Sequence, residues 1–246
     1  MSTSADGGHR VDAGDARGVA GVASEHIAHA LREAIAKTGQ ATLALSGGNT
    51  PREAYALLAG QQGIDWHRTR IFWVDERAVP PTDDRSNYRW AKHTLLDPAR
   101  IPPERVHRMR AEDPDLAAAA RGYEALIRAH VSADAHGVPS FDVAVMGLGD
   151  DGHTASLFPG EPTVTVADRL VAQVSAGGGH EARLTITRIL IEHARRLLFL
   201  VVGPTKRPAL ERVWADEGDE RLTPARLVRS CLGDVEWVLD KAAAGG

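Results

Sequence analysis

The chain has 246 residues, with 29 Lys and Arg against 33 Asp and Glu, for a formal net charge of −4. Hydrophobic residues make up 43% and charged residues 25%, an ordinary balance for a chain that buries a core. The slight acidity, with basic residues scattered along the chain, gives no basis for bulk attraction to nucleic acid or to an anionic membrane.

The lone Cys231 excludes an intrachain disulfide and a cysteine-based zinc cluster, and fits a reducing, cytoplasmic setting. No apolar stretch approaches a membrane span, and the opening MSTSADGGHR has no apolar signal region. Residues 1–14 are polar and Gly-rich and are expected to fray.

From residue 17 the pattern becomes regular. RGVAGVASEHIAHALREAIAK (17–37) places Val22, Ile27, Leu31 and Ile35 near helical spacing. ATLAL (41–45) reads as a short buried strand, and IFWV (71–74), FDVAVM (141–146), RLVAQV (169–174), LLFLVV (197–202) and VEWVL (235–239) are similar runs. Helical patterns lie between several of them: PREAYALLAG, SNYRWAKHTLL, DLAAAARGYEALIRAH, TRILIEHARRL, KRPALERVW and TPARLVRS. Strands alternating with helices predict an α/β fold, a mostly parallel sheet with helices on both faces. Residues 1–246 are read as one domain with a possible smaller lobe.

Four polar loops at strand ends carry the chemistry. In SGGNTPRE, Thr50 and Glu53 have capping-box spacing and Pro51 takes the expected first helical position. Ser46, Gly47, Gly48 and Asn49 then form a turn whose backbone N–H groups can approach an anion at a helix N-terminus. A plain tight turn would use the same residues, and the turn alone does not decide between the two. No Lys-Ser/Thr pair follows, so this is not a P-loop.

In VDERAVPP, Asp75, Glu76 and Arg77 follow a buried strand. Glu76 is expected to be solvated, whereas the Arg77 guanidinium suits a phosphate if it faces the edge that carries Gly47.

MGLGDDGHTASLFPG matches G-x-G-x-x-G, but Pro159-Gly160 follows too soon for the helix that a dinucleotide site needs. Its informative part is Asp151-Gly152-His153. A histidine there can serve as general base, with Asp151 orienting it or favouring its protonated form. A lone histidine is more often structural, so this reading depends on the other loops. Asp150, Asp151 and His153 offer no spaced metal motif, and no metal is expected.

In VVGPTKRPAL, Thr205 is expected to cap a helix and Lys206 to sit at its start. All four loops fall at strand ends, where open parallel sheets bind ligands. The set suits a small phosphorylated substrate and an acid–base step. No G-x-S-x-G elbow is present to supply a serine nucleophile.

The chain resembles the 6-phosphogluconolactonase family in SGGNTP (46–51), FWVDER (72–77), SNY (86–88), GDDGHTASLFP (149–159), RLTIT (183–187) and VGPTK (202–206), in that order. The wider group has a Rossmann-like sheet and includes glucosamine-6-phosphate deaminase, which shares the glycine turn and Asp-Gly-His. The resemblance implies hydrolysis of a sugar-phosphate lactone, 6-phosphogluconolactone, in the pentose phosphate pathway, without metal or nucleotide cofactor, by a monomer or weak homo-oligomer. It makes His153 the base that activates water, supported by Asp151. It assigns the phosphate to the Ser46–Thr50 turn, Arg77 and Lys206, with Arg183 a further candidate, and has Asp75 shape the sugar pocket. SAGGGHEA before RLTIT departs from the proline-rich segment expected of the family.

Two other readings share these features. The deaminase family carries an Asn-Glu after the histidine segment, but here SLFPG follows, with no acid until Glu161. A sugar-phosphate-binding regulatory module without catalysis would not need the intact Asp-Gly-His.

Overall fold

The structure, a computed structural model, describes residues 7–245. The chain opens with β1 (His9–Asp12) and α1 (Ala16–Thr38), the latter capped by the Asp15 carboxylate on the Gly18 N–H. Then come β2 (Ala41–Leu45), α2 (Asn49–Ala59), β3 (Thr69–Trp73), β4 (Asp75–Arg77), α3 (Asn87–Ala91) and α4 (Leu116–His130). A π-helical turn, Lys92–Leu96, extends α3. The second half runs through β5 (Val143–Met146), β6 (Val171–Val174), β7 (Arg183–Ile186), α5 (Arg188–Glu192) and β8 (Arg196–Val201). It closes with α6 (Arg207–Trp214), β9 (Asp234–Leu239) and α7 (Lys241–Ala244).

Six strands form one parallel sheet in the order β1-β9-β8-β5-β2-β3. Every residue of β2 and β5 is buried. Because successive strand side chains point to opposite faces, both faces of the sheet are covered, as the unbroken apolar runs require. The helix α1 packs on β2, β5, β8 and β9 and against α2. A second sheet, antiparallel β4-β7-β6, forms the expected smaller lobe. It joins the first where the Ile186 N–H donates to the Val74 carbonyl, 2.8 Å.

The chain moves outward from β2 to β3, then returns to the other side of β2 as β5. The strand order therefore reverses between β2 and β5, which share only the pairs Leu43–Val143 and Ala44–Ala144. Beyond the carboxyl ends of these two strands lies the crevice where such sheets take ligands.

Several expectations need correction. Of residues 1–14, His9–Asp12 do not fray. They pair in parallel with Glu236–Leu239 as an edge strand, and the Trp237 indole N–H donates to the Gly7 carbonyl; residues 1–6 lie outside the described residues. The helix after the glycine turn begins at Asn49 with Gly48 as its cap, so Thr50 and Glu53 form no capping box. Asp75–Arg77 are a strand rather than a loop, because β7 supplies an antiparallel partner. RLVAQV joins the same small sheet. TRILIEHARRL is helical only over Arg188–Glu192, since Arg195 is already bonded to Phe141 at the entry to β8. TPARLVRS forms a 3-10 helix, Pro224–Ser230. No helix among the described residues is long and apolar enough to cross a membrane.

Candidate active site

At the switch between β2 and β5 lies an open cavity of about 400 Å3. Its first wall is Ser46–Pro51. The buried Tyr55 of α2 pins this turn: its hydroxyl accepts from the Ser46 N–H (3.0 Å) and donates to the Ser46 carbonyl (3.1 Å). Gly48 caps α2 with φ +113°, and no side chain satisfies the first-turn N–H groups. The buried Ser46 hydroxyl also has no partner. The N-terminal end of an 11-residue helix, with its positive dipole end, thus borders the cavity beside a buried, unpaired hydroxyl.

Gly47 is required by a close approach. A Cβ there would lie 1.9 Å from Asn87 Oδ1. The Asn87 amide donates to the Asp75 carbonyl (3.0 Å) and carboxylate (3.1 Å), which holds this side chain between β4 and the glycine turn.

The β4 wall places Arg77 on the cavity, where its guanidinium also donates to the Arg85 carbonyl. Burial, and then the like charge of Arg77, lowers the pKa of Arg52 in the first turn of α2. The positive charges therefore converge toward the glycine turn.

Glu76 is not solvated. It is 3% exposed, and its carboxylate accepts from the N–H groups of Arg77, Asn87 and Tyr88 and from the Ser86 hydroxyl. Burial pushes its pKa up and the four donors only partly pull it back. The chain turns back over β4 and delivers three of these donors to one carboxylate, which its place at a strand end did not reveal.

The third wall is Gly147–Gly149 with His153 and Ala155. Asp151 Oδ1 accepts from the His153 backbone N–H (3.0 Å) and meets His153 Nδ1 at 2.7 Å. Partial burial opposes the Asp151 charge, but the N–H, charge and ring bond of His153 bring its pKa below 3.8. A carboxylate on Nδ1 fixes the proton there and leaves Nε2 as the acceptor. Gly149 makes room for this pair, since a Cβ would stand 2.1 Å from His153 Nδ1 and 2.6 Å from Asp151 Oδ1.

Opposite His153, Asp75 and Arg183 meet over Ser156. The Ser156 hydroxyl donates to Asp75 Oδ2 at 2.5 Å, and Arg183 Nη1 lies 3.4 Å from that oxygen and 3.3 Å from Ser156 Oγ. Asp75 is 5% exposed, so its charge is held by a serine, an asparagine and an arginine rather than by water.

Lys206 completes the rim, paired at 2.6 Å with Asp150. Thr205 caps no helix. A 3-10 turn, Pro204–Lys206, precedes α6, and the Thr205 hydroxyl reaches Asp150 instead (3.4 Å).

One cavity thus gathers Ser46, Gly47, Gly48, Asn49, Thr50, Asp75, Arg77, His153, Arg183 and Lys206. Asp151 sits behind His153 and does not line it. Sequence reasoning gave no role to Asn87, Ser156 and Tyr55; the first two lie in the quoted SNY and HTASLFP segments, whereas nothing local marked Tyr55. Among the described residues, no group of three or more His, Cys, Asp or Glu could hold a metal ion.

Fold and site define an α/β protein with an anion cradle and an Asp–His pair at the switch point of a parallel sheet. Residues 14–237 match the family model described as glucosamine-6-phosphate isomerases/6-phosphogluconolactonase. A 6-phosphogluconolactonase of Synechocystis sp. is 42% identical over 213 residues, covering 87% of each chain. The 6-phosphogluconolactonase of Trypanosoma brucei superposes with a TM-score of 0.88 at 26% identity, over 97% of this chain and 98% of that one. A monomeric glucosamine-6-phosphate deaminase, 19% identical, superposes with a TM-score of 0.81 over 96% and 99%, and shares the fold. The chain belongs to the glucosamine-6-phosphate isomerase/6-phosphogluconolactonase family.

Proposed function

We propose that this chain is a carboxylic ester hydrolase, a 6-phosphogluconolactonase that opens 6-phosphogluconolactone to 6-phosphogluconate in the pentose phosphate pathway. The observation that carries this reading is the Asp151–His153 pair opening onto the same cavity as the Ser46–Thr50 turn, Arg77 and Lys206. The names of the relatives at 35–42% identity support the lactone as substrate.

The turn, Arg77 and Lys206 hold the phosphate, with Lys206 exchanging Asp150 for the substrate. His153 Nε2 takes a proton from water as the water oxygen bonds to the lactone carbonyl carbon. The carbon–ring oxygen bond then breaks, and the ring oxygen leaves as a hydroxyl carrying the proton returned by His153. Asp151 holds the imidazolium that forms between these steps. Arg183, anchored by Asp75 and Ser156, lies on the sugar side and supplies positive charge to the developing oxyanion. A lactone is an activated ester, so one positioned water and one base suffice without a covalent intermediate.

The shared fold does not favour deamination. Glu161, the first acid after His153, lies 3.9 Å from His180 and does not line the cavity. A regulatory sugar-phosphate binder without catalysis would need no Asp–His pair. All groups assigned here come from one chain, so a monomer or weak homo-oligomer serves equally. A reducing cytoplasmic setting suits the buried free thiol of Cys231.

The test is acid release from freshly generated 6-phosphogluconolactone, run beside ammonia release from glucosamine-6-phosphate. Lactone hydrolysis well above the spontaneous rate, with no ammonia, is expected. A lactone rate equal to background would overturn the proposal.

A further inference from the structure

The segment SAGGGHEA, unlike the proline-rich sequence expected there, has a definite structural use. It joins β6 to β7 through a two-residue turn. The Gly177 N–H donates to the His180 carbonyl (3.1 Å) and the His180 N–H to the Gly177 carbonyl (2.8 Å). The central residues Gly178 and Gly179 have φ of +55° and +88°. Positive φ at both is the geometry of a type I′ hairpin turn, which L side chains resist.

This turn lays His180 flat on Phe158, with ring centroids 4.0 Å apart and planes 5° from parallel. Phe158 in turn touches the ring of His153, centroids 4.7 Å apart at 48°, and lies under the Arg183 guanidinium at 5.4 Å. The His180 side chain is 9% exposed and does not line the cavity. Its Nε2 is buried without a hydrogen-bond partner, the nearest carboxylate oxygen of Glu161 lying 3.9 Å away, and its Nδ1 is 3.2 Å from the Glu181 carbonyl.

We infer that His180 is a positioning residue for the hydrolysis assigned above, acting through Phe158 on His153. The inference rests on that functional reading. Asp151 fixes one nitrogen of His153, but a single such contact leaves the imidazole free to rock about it. The His153 side chain is 31% exposed, and its ring also rests against that of Phe158. Phe158 closes the chain segment that follows His153, a segment turned tightly by the bond from the Leu157 N–H to the Thr154 carbonyl (3.0 Å). His180 reaches it from the opposite lobe and holds the ring in place. The flat ring carries this role, since the buried Nε2 of His180 bonds to nothing and its Nδ1 meets only the carbonyl of the adjacent Glu181.

The experiment compares wild type, His180→Ala, His180→Phe and Phe158→Leu in the lactone assay, with kcat and KM separated. The imidazole resonances of His153 are read in each variant, because the ring current of Phe158 reports their relative orientation. Loss of the ring in His180→Ala should lower kcat roughly tenfold, the scale set by a small misplacement of a catalytic group. KM should stay within about twofold, because the phosphate grip lies elsewhere. Phe158→Leu should behave likewise, and His180→Phe should restore kcat and the His153 resonances. If His180→Ala keeps wild-type kcat, or His180→Phe fails as Ala does, positioning by the stacked ring is wrong. A shifted KM with unchanged kcat overturns it equally. Should His180→Ala fold poorly, Phe158→Leu and the resonances decide the same question. No hydrolysis by wild type would instead remove the functional reading itself.

Discussion

The carboxylate of Asp151 holds His153 at two points, the backbone N–H at 3.0 Å and ring Nδ1 at 2.7 Å, both through Oδ1. The two residues flank Gly152, so a three-residue turn makes the pair. Only the sheet edge decides what its free Nε2 faces.

Replacing His153 by Ala should lower kcat by about 10²–10⁴-fold, the usual contribution of a positioned general base. Steady-state rates with circular dichroism check that activity is lost and the fold kept. A variant within a few-fold of wild type would remove His153 from the chemistry.

Asp151→Asn should keep the fold and cost kcat by about tenfold or more, since the amide supports the wrong tautomer. The pH dependence of stability has a definite sign. The folded-state pKa of Asp151 is depressed, so its contribution is present above the ordinary value of 3.8 and is lost as pH falls through the lower folded value. Urea midpoints of wild type and Asp151→Asn should therefore converge as pH drops below 3.8.

Arg77→Ala and Lys206→Ala should each mainly raise KM. Hydrogen bonds to charged groups contribute about 1.5–3 kcal/mol, or roughly 10–150-fold in kcat/KM. Added inorganic phosphate should compete with substrate in wild type and much less in either variant. An unchanged KM would move the phosphate away from that residue.

Gly149→Ala tests space rather than backbone freedom. A methyl 2.1 Å from His153 Nδ1 must push the imidazole off Asp151. We expect kcat to fall by roughly 10²-fold, as displacements near 1 Å do. A fully active Ala variant would show that the pair does not need this geometry.

Glu76→Gln leaves four donors facing one acceptor oxygen and an NH2 group. A loss of about 1–3 kcal/mol is expected in urea unfolding. Because the Arg77 N–H is one of those donors, KM should rise with it. Full stability in the Gln variant would mean that the 86–88 turn is held by other contacts.

Much of the fold was legible because its signals are local. Five of the six parallel strands carry a largely apolar run that marks them in the sequence. The small sheet was not legible, since DER becomes a strand only when RLTI lies alongside it. His9–Asp12 likewise become an edge strand only because β9, more than 220 residues later, accepts them. Glu76 looked solvated because a strand-end carboxylate normally is, and the donors that bury it lie 10–12 residues on.

The sequence by itself determined the α/β alternation, the glycine turn before α2 and the Asp-Gly-His that makes a paired imidazole. These depend on neighbours within a few residues, where spacing and φ preferences act directly. Tertiary structure alone decided that Ser46, Arg77, His153, Arg183 and Lys206 share one cavity, that Tyr55 pins the turn, and that His180 stacks on Phe158. The sheet sets that proximity. Reversal of strand order between β2 and β5 brings distant loops to one crevice, and no local pattern records that order.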